Sequence, residues 1–180
     1  MRPGAFNEYQ QAIVSVGEIL ANYDPLQQFA CYGFGGVVNR VTNHCFALNG
    51  NPANPVVLGV QGMLDAYEKA LLNVGLSGPT NFATIINTAA AAAQSFVEGY
   101  RAGKQRYAVL LIMTDGQITD MTQTIEAIAR AAALPLSIII VGVGRDDFSN
   151  MSILDGDERK ISSRDIVQVP LSFVFRKPQS

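Results

Sequence analysis

Two apolar runs constrain the fold more than anything else in this chain. Residues 107–113 read Tyr-Ala-Val-Leu-Leu-Ile-Met, and residues 136–143 read Leu-Ser-Ile-Ile-Ile-Val-Gly-Val, with no polar alternation after Ser137. A strand with one wet face alternates apolar and polar side chains; a run without alternation fits a strand covered on both faces, as in a parallel sheet. Between the two runs, a helix is predicted from Asp120 or Met121 through Ala133, ended by Leu134-Pro135. Strand, helix and strand in that order give a parallel pair with a right-handed crossover.

The remaining pattern extends the same theme. Residues 7–21 carry Tyr9, Ala12, Ile13, Val16, Ile19 and Leu20 at amphipathic helical spacing and stop at Asn22-Tyr23-Asp24-Pro25. Short strands are predicted at 28–34 and 44–48, with a Gly/Asn/Pro-rich loop over 49–55. A helix over 60–73 is expected to bury Met63, Leu64, Tyr67, Ala70 and Leu71. Another, after residue 81, presents Phe82, Ile85, Ile86, Ala89, Ala90, Ala93, Phe96 and Val97 on one face before a turn at 99–104. Residues 146–164 read as a polar surface loop holding at most one helical turn, and 165–169 as a last strand. The expected fold class is α/β: a doubly wound, mostly parallel sheet with helices on both faces, in a single domain over 1–180.

Composition excludes several function classes. The chain has 180 residues, 48% of them hydrophobic and 16% charged, enough for one full core. A formal net charge of −2 without a Lys/Arg cluster leaves no footprint for nucleic acid. No apolar stretch approaches the roughly 20 residues of a membrane span. The N-terminus lacks a signal core, so a cytoplasmic location is expected. Of the two cysteines, Cys31 and Cys45, a non-secreted chain makes free buried thiols the expectation over a cross-strand disulfide. His44 is the one histidine, which argues against structural zinc and against a His-based catalytic set.

Two loops could carry chemistry. Gly78-Pro79-Thr80-Asn81 opens a helix, and Thr114-Asp115-Gly116 follows the first apolar run. A hydroxyl and a carboxylate at the carboxyl edge of a parallel sheet can hold a hard cation. Thr80 has a competing reading as a helix N-cap, contributing about 1 kcal/mol. Gly33-Phe34-Gly35-Gly36 and Gly142-Val143-Gly144 lack the spacing of phosphate loops and read as tight turns. Asp155-Gly156-Asp157-Glu158 lacks the spacing of a calcium loop and reads as a solvated acidic turn.

Several segments in order, Asn7-Glu8-Tyr9-Gln10-Gln11-Ala12-Ile13, Tyr32-Gly33-Phe34-Gly35, Gly78-Pro79-Thr80-Asn81, 111–120, 134–144 and Leu154-Asp155-Gly156-Asp157, resemble the copine family. The resemblance covers the von Willebrand factor A-like domain from its first helix to about Val169. It implies a Rossmann-like sheet with a metal-ion-dependent adhesion site. Thr80 would be a direct metal ligand, and Asp115 the second-loop carboxylate. The cation would be Mg²⁺ or Mn²⁺, with Ca²⁺ as a third candidate. It also implies a binding module, not an enzyme, in a calcium-dependent phospholipid-binding protein whose lipid contacts lie in other modules. Partners would be proteins with acidic or carboxylate-bearing segments.

The family's Asp-x-Ser-x-Ser motif belongs on a central strand before the first helix, and this chain begins at that helix. Weak metal binding is therefore expected, together with an unpaired position inside the sheet. The apolar tail, residues 169–176, is a candidate substitute strand, in cis or in a strand-swapped homodimer. Two rivals stand beside this reading. The A-type domain of a RING-type ubiquitin ligase would be marked by a downstream Cys/His set. A nucleotide-binding enzyme would need a glycine-rich phosphate turn.

Overall fold

The computed structural model describes residues 6–101, 103, 105–144, 148–155 and 164–169. They form two compact units that meet in sequence at Gly78–Pro79; each is taken by itself.

The first unit begins with helix α1 (Glu8–Ala21), started by a capping box: Asn7 Oδ1 accepts the Gln10 amide while Gln10 Oε1 accepts the Asn7 amide. Six short strands follow: β1 (Gln28–Ala30), β2 (Tyr32–Gly33), β3 (Gly36–Val38), β4 (Val41–Asn43), β5 (Phe46–Ala47) and β6 (Val56–Leu58). Helix α2 (Gly59–Asn73) and β7 (Gly75–Leu76) complete the unit. The helices pack through Ala12 and Ile13 on α1 and Leu64, Ala66 and Ala70 on α2, all buried. The Tyr9 and Tyr67 rings stack at 5.9 Å, and Gln10 Nε2 donates to Glu68 Oε1 at 2.8 Å. Leu71, expected in the core, is 49% exposed.

Every strand pairing in this unit is antiparallel: β1 with β6, β2 with β5, and β3 with both β4 and β7. The expectation of one mostly parallel sheet is corrected here, because residues 28–76 make three small antiparallel sheets instead. The physical reason lies in the connections. The β3–β4 hairpin turns in two residues, Asn39 and Arg40, both at positive φ, and a two-residue turn can only join antiparallel strands. Beside the β2–β5 pair, the Cys31 carbonyl accepts the Leu48 amide and the Cys31 amide donates to the Pro55 carbonyl, while Cys45 lies three residues before Leu48. Neither cysteine is in a disulfide, as expected, but both are half-buried where buried thiols were expected.

The second unit carries the parallel part. Helix α3 (Ala83–Arg101) leads into β8 (Ala108–Thr114), α4 (Met121–Ala131) and β9 (Leu136–Gly142). A 3-10 segment (Ser149–Leu154) and β10 (Val167–Gln168) follow. β8 and β9 run parallel in continuous register from Ala108 opposite Leu136 to Thr114 opposite Gly142. β10 adds in parallel on the far side of β9, giving the order β10-β9-β8. Thr124, Ala127, Ile128 and Ala131 bury one stripe of α4, and Phe82, Ile85, Ile86 and Ala93 bury one face of the α3 segment. Phe96, expected in the core, is half-buried.

Leu136, Ile138 and Ile140 are fully buried, whereas Ser137 and Ile139 on the opposite face are half-buried and Val109 is 48% exposed. The covered-on-both-faces reading thus holds for one face and only partly for the other. The polar reading of 146–164 also needs amendment: Phe148, Met151 and Leu154 are buried. Phe148 lies against bare backbone, since a Cβ on Gly142 would sit 2.9 Å from its ring. Asp155 Oδ1 accepts the Val169 amide; the rest of the acidic turn and the tail beyond Val169 lie outside the described residues.

Candidate metal centre

The site belongs to the carboxyl end of β8. A buried parallel strand ends there at Thr114, 1% exposed, and the chain must turn back over the sheet through 115–120 to start α4. Thr114 Oγ1 lies 3.4 Å from both the amide and the carbonyl of Gly116, holding the bend together. Asp115, the first residue of the bend, is exposed. The loop of β9 passes alongside: a Cβ on Gly144, at φ +100°, would lie 4.0 Å from Asp115 Cβ.

The 79–82 segment is tied to the same bend. Thr119 donates both its amide, at 2.9 Å, and its hydroxyl, at 2.7 Å, to the Thr80 carbonyl. The Thr119 hydroxyl also lies 3.1 Å from Asn81 Oδ1. These bonds bring Thr80 to the sheet edge, where a Cβ on Gly116 would lie 3.8 Å from Thr80 Oγ1. Thr80 is half-buried, and its hydroxyl has no hydrogen-bond partner among the described residues. The two residues singled out from sequence therefore sit on adjoining loops.

The N-terminus of α3 is held by a different residue. Asp120 Oδ1 accepts the Phe82 amide and Oδ2 the Ala83 amide, both at 2.9 Å. Asp120 Oδ1 also accepts the Thr124 hydroxyl at 3.0 Å, and its backbone carbonyl takes the Thr124 amide. One residue thus opens α4 with its main chain and caps α3 with its side chain. This overturns the capping reading of Thr80. Sequence reasoning placed Asp120 at the head of its own helix and missed the cross-helix role; no local pattern marks a cap supplied from 38 residues away.

The donor set suits a hard cation in kind but is small. Thr80 Oγ1 and Asp115 carboxylate are oxygen donors of the type Mg²⁺ and Mn²⁺ accept. Among the described residues no group of three or more His, Cys, Asp or Glu could hold a metal. Asp120 is committed to two backbone amides. A cation here would have two protein ligands and keep most of its waters.

This is a parallel α/β unit with two loops adjoining at the carboxyl edge of its sheet, the edge at which open sheets commonly place their ligands. The particular family follows from comparison with known proteins. The copine family matches residues 1–177, and the chain belongs to that family. It is 47% identical over 174 residues to Protein BONZAI 1 and 45% to Protein BONZAI 2, both of Arabidopsis thaliana, covering 92% of this chain in each case. It is 44% identical over 170 residues to Copine-A of Dictyostelium discoideum, covering 90% of this chain. The chain spans 28–30% of the length of these relatives.

Proposed function

We propose that this chain is a protein-docking module. It holds a divalent cation, Mg²⁺ or Mn²⁺ in preference to Ca²⁺, weakly between the Thr80 hydroxyl and the Asp115 carboxylate. A carboxylate from an acidic partner segment then completes the metal's coordination shell. One observation carries the reading. At an edge where Thr114, Thr119, Asp120 and Thr124 all spend their side-chain oxygens on internal bonds, the Thr80 hydroxyl and the Asp115 carboxylate have no hydrogen-bond partner among the described residues. Two unspent oxygens on adjoining, internally tied loops are what a cation needs from the protein.

The von Willebrand factor A-like fold of the family supports this reading, and the copine match favours it over the ubiquitin-ligase alternative. Calcium-dependent phospholipid binding is assigned to the parts of a longer protein that this chain does not span. A net charge of −2 gives this chain little attraction of its own for anionic lipid. None of its described helices is long and apolar enough to cross a membrane. In a full-length protein the chain would work in the cytoplasm and reach membranes through those other parts.

The test is Mn²⁺ binding followed by electron paramagnetic resonance. The expected result is weak, saturable binding that Asp115→Ala abolishes and Thr80→Ala weakens several-fold. Binding that Asp115→Ala leaves unchanged would remove the site from this edge.

A further inference from the structure

Asn49-Gly50 is the one Asn-Gly pair in the sequence, and it heads the loop between β5 and β6. Asparagine before glycine can react within the chain. The glycine amide nitrogen, once it gives up its proton, attacks the asparagine Cγ and expels ammonia. Water then opens the cyclic imide at one carbonyl or the other, leaving aspartate or isoaspartate. Water is the only co-reactant, and at Gly50 even a Cβ would meet nothing within 4 Å. The loop nevertheless withholds both reacting groups. The Gly50 amide donates to the Ala47 carbonyl at 3.0 Å. The Asn49 carboxamide is held by both of its polar atoms: Oδ1 accepts the Asn51 amide at 2.9 Å, and Nδ2 donates to the Asn54 carbonyl at 2.8 Å. Nδ2 also lies 3.5 Å from the Val56 carbonyl. This orientation follows from chemistry, because the Asn51 N–H needs an acceptor and the Asn54 carbonyl a donor. Asn51 Oδ1 accepts the Ala53 and Asn54 amides in turn, at 3.1 and 3.3 Å, and so holds the stretch that carries the Asn54 carbonyl.

We infer that Asn49 is a deamidation site gated by the 49–56 loop. Closed, the loop suppresses the reaction; once opened, it admits a one-way change that keeps it from closing again. The product cannot replace what is lost. An ionised carboxylate only accepts hydrogen bonds, so the Asn54 and Val56 carbonyls would face oxygen where they now face N–H. Two acceptors left opposed in this way cost more than the lost bond alone. One added carboxylate takes the formal net charge from −2 to −3. Isoaspartate also lengthens the main chain, two residues past the end of β5. The change reaches the rest of the unit through β6, where Val56 pairs with Ala30 and whose last residue, Leu58, leads directly into α2.

The test follows the 180-residue chain in mildly alkaline buffer, folded or in urea. Peptide mass spectrometry reads the fraction of Asn49 converted over time. The folded chain is expected to react roughly tenfold more slowly or better, since hydrogen bonds must break before attack. Hydrogen exchange at the Gly50 amide should be slowed by a similar factor, because both reactions need the same local opening. Asn51→Ala leaves the Asn-Gly pair intact but removes the acceptor for Ala53 and Asn54. It should speed the folded reaction several-fold and leave the reaction in urea unchanged. Asn49→Asp, a copy of the product, should keep the parent's circular dichroism while its urea midpoint falls and exchange at Val56 quickens. Equal rates in the folded chain and in urea overturn the inference, as does an Asn51→Ala chain that reacts no faster than the parent. An Asn49→Asp chain as stable as the parent, with unchanged exchange, would overturn it too, by showing that the loop closes over the product.

Discussion

Replacing Asp120 by alanine removes both acceptors that hold the start of α3. The Phe82 and Ala83 amides, each bonded at 2.9 Å, would be left without their carboxylate. A capping bond contributes about 1 kcal/mol, and a negative charge at a helix N-terminus adds about 0.5 kcal/mol through the macrodipole. The expected loss is therefore about 2–3 kcal/mol, which for a chain of this size lowers Tm by about 5–10 °C. Asp120→Asn keeps one acceptor oxygen and turns an amide N–H₂ toward the other donor, so it should fall between parent and alanine variant. Thr80→Ala is the contrast: its hydroxyl caps nothing, and stability should stay within about 0.5 kcal/mol. The assay is urea denaturation followed at 222 nm, with a matched thermal scan. If Asp120→Ala sits within 0.5 kcal/mol of the parent while Thr80→Ala falls by 1 kcal/mol or more, the cap has been assigned to the wrong residue.

Other outcomes follow from single contacts. Gly142→Ala drives a methyl to 2.9–3.1 Å from the Phe148 ring, and denaturation should show a loss of about 1–3 kcal/mol; Phe148→Leu in the same chain should recover part of it. Burial raises the Cys31 thiol from its ordinary value of 9.0 to about 11. Its folded pKa is raised, so the native state binds the proton more tightly. The contribution is complete below pH 9 and is lost as pH climbs to about 11, by at most 2–3 kcal/mol. Cys31→Ala should flatten that slope in alkaline denaturation curves. Tyr32 is raised in the same direction, by burial first and then by the Cys45 charge, so some slope should remain. At pH 8, alkylation of Cys31 should be slower than that of a free cysteine peptide, because the thiolate is scarce.

Helices and the β8–β9 pair were legible because each is long enough for periodicity to show. Residues 136–142 and 108–114 announce themselves by lack of alternation, and Pro135 punctuates the gap. The strands at 36–38, 41–43, 56–58 and 75–76 were not legible, since two or three residues carry no period. The hairpin at Asn39-Arg40 lacks the glycine that usually flags such a turn. At the candidate site, the closeness of the Thr80 and Asp115 loops could be expected from their places beside a helix start and a strand end. The state of their oxygens could not. That depends on Thr119 and Asp120, whose partners lie 37 to 39 residues away.

The glycines at 33 and 36 carry a lesson for anyone mapping function by mutation. Their missing side chains make room for the Phe46 ring, whose atoms lie 2.4 Å from a Cβ built at 33 and 3.0 Å from one built at 36. Any larger residue there must displace an aromatic ring, or Val74 beside it. Variants at 33 and 36 will therefore score as losses in a binding screen through reduced abundance of folded protein, although neither residue need touch a ligand. Normalising such a screen to protein level would move both positions out of the binding map and leave in it those whose side chains touch a ligand.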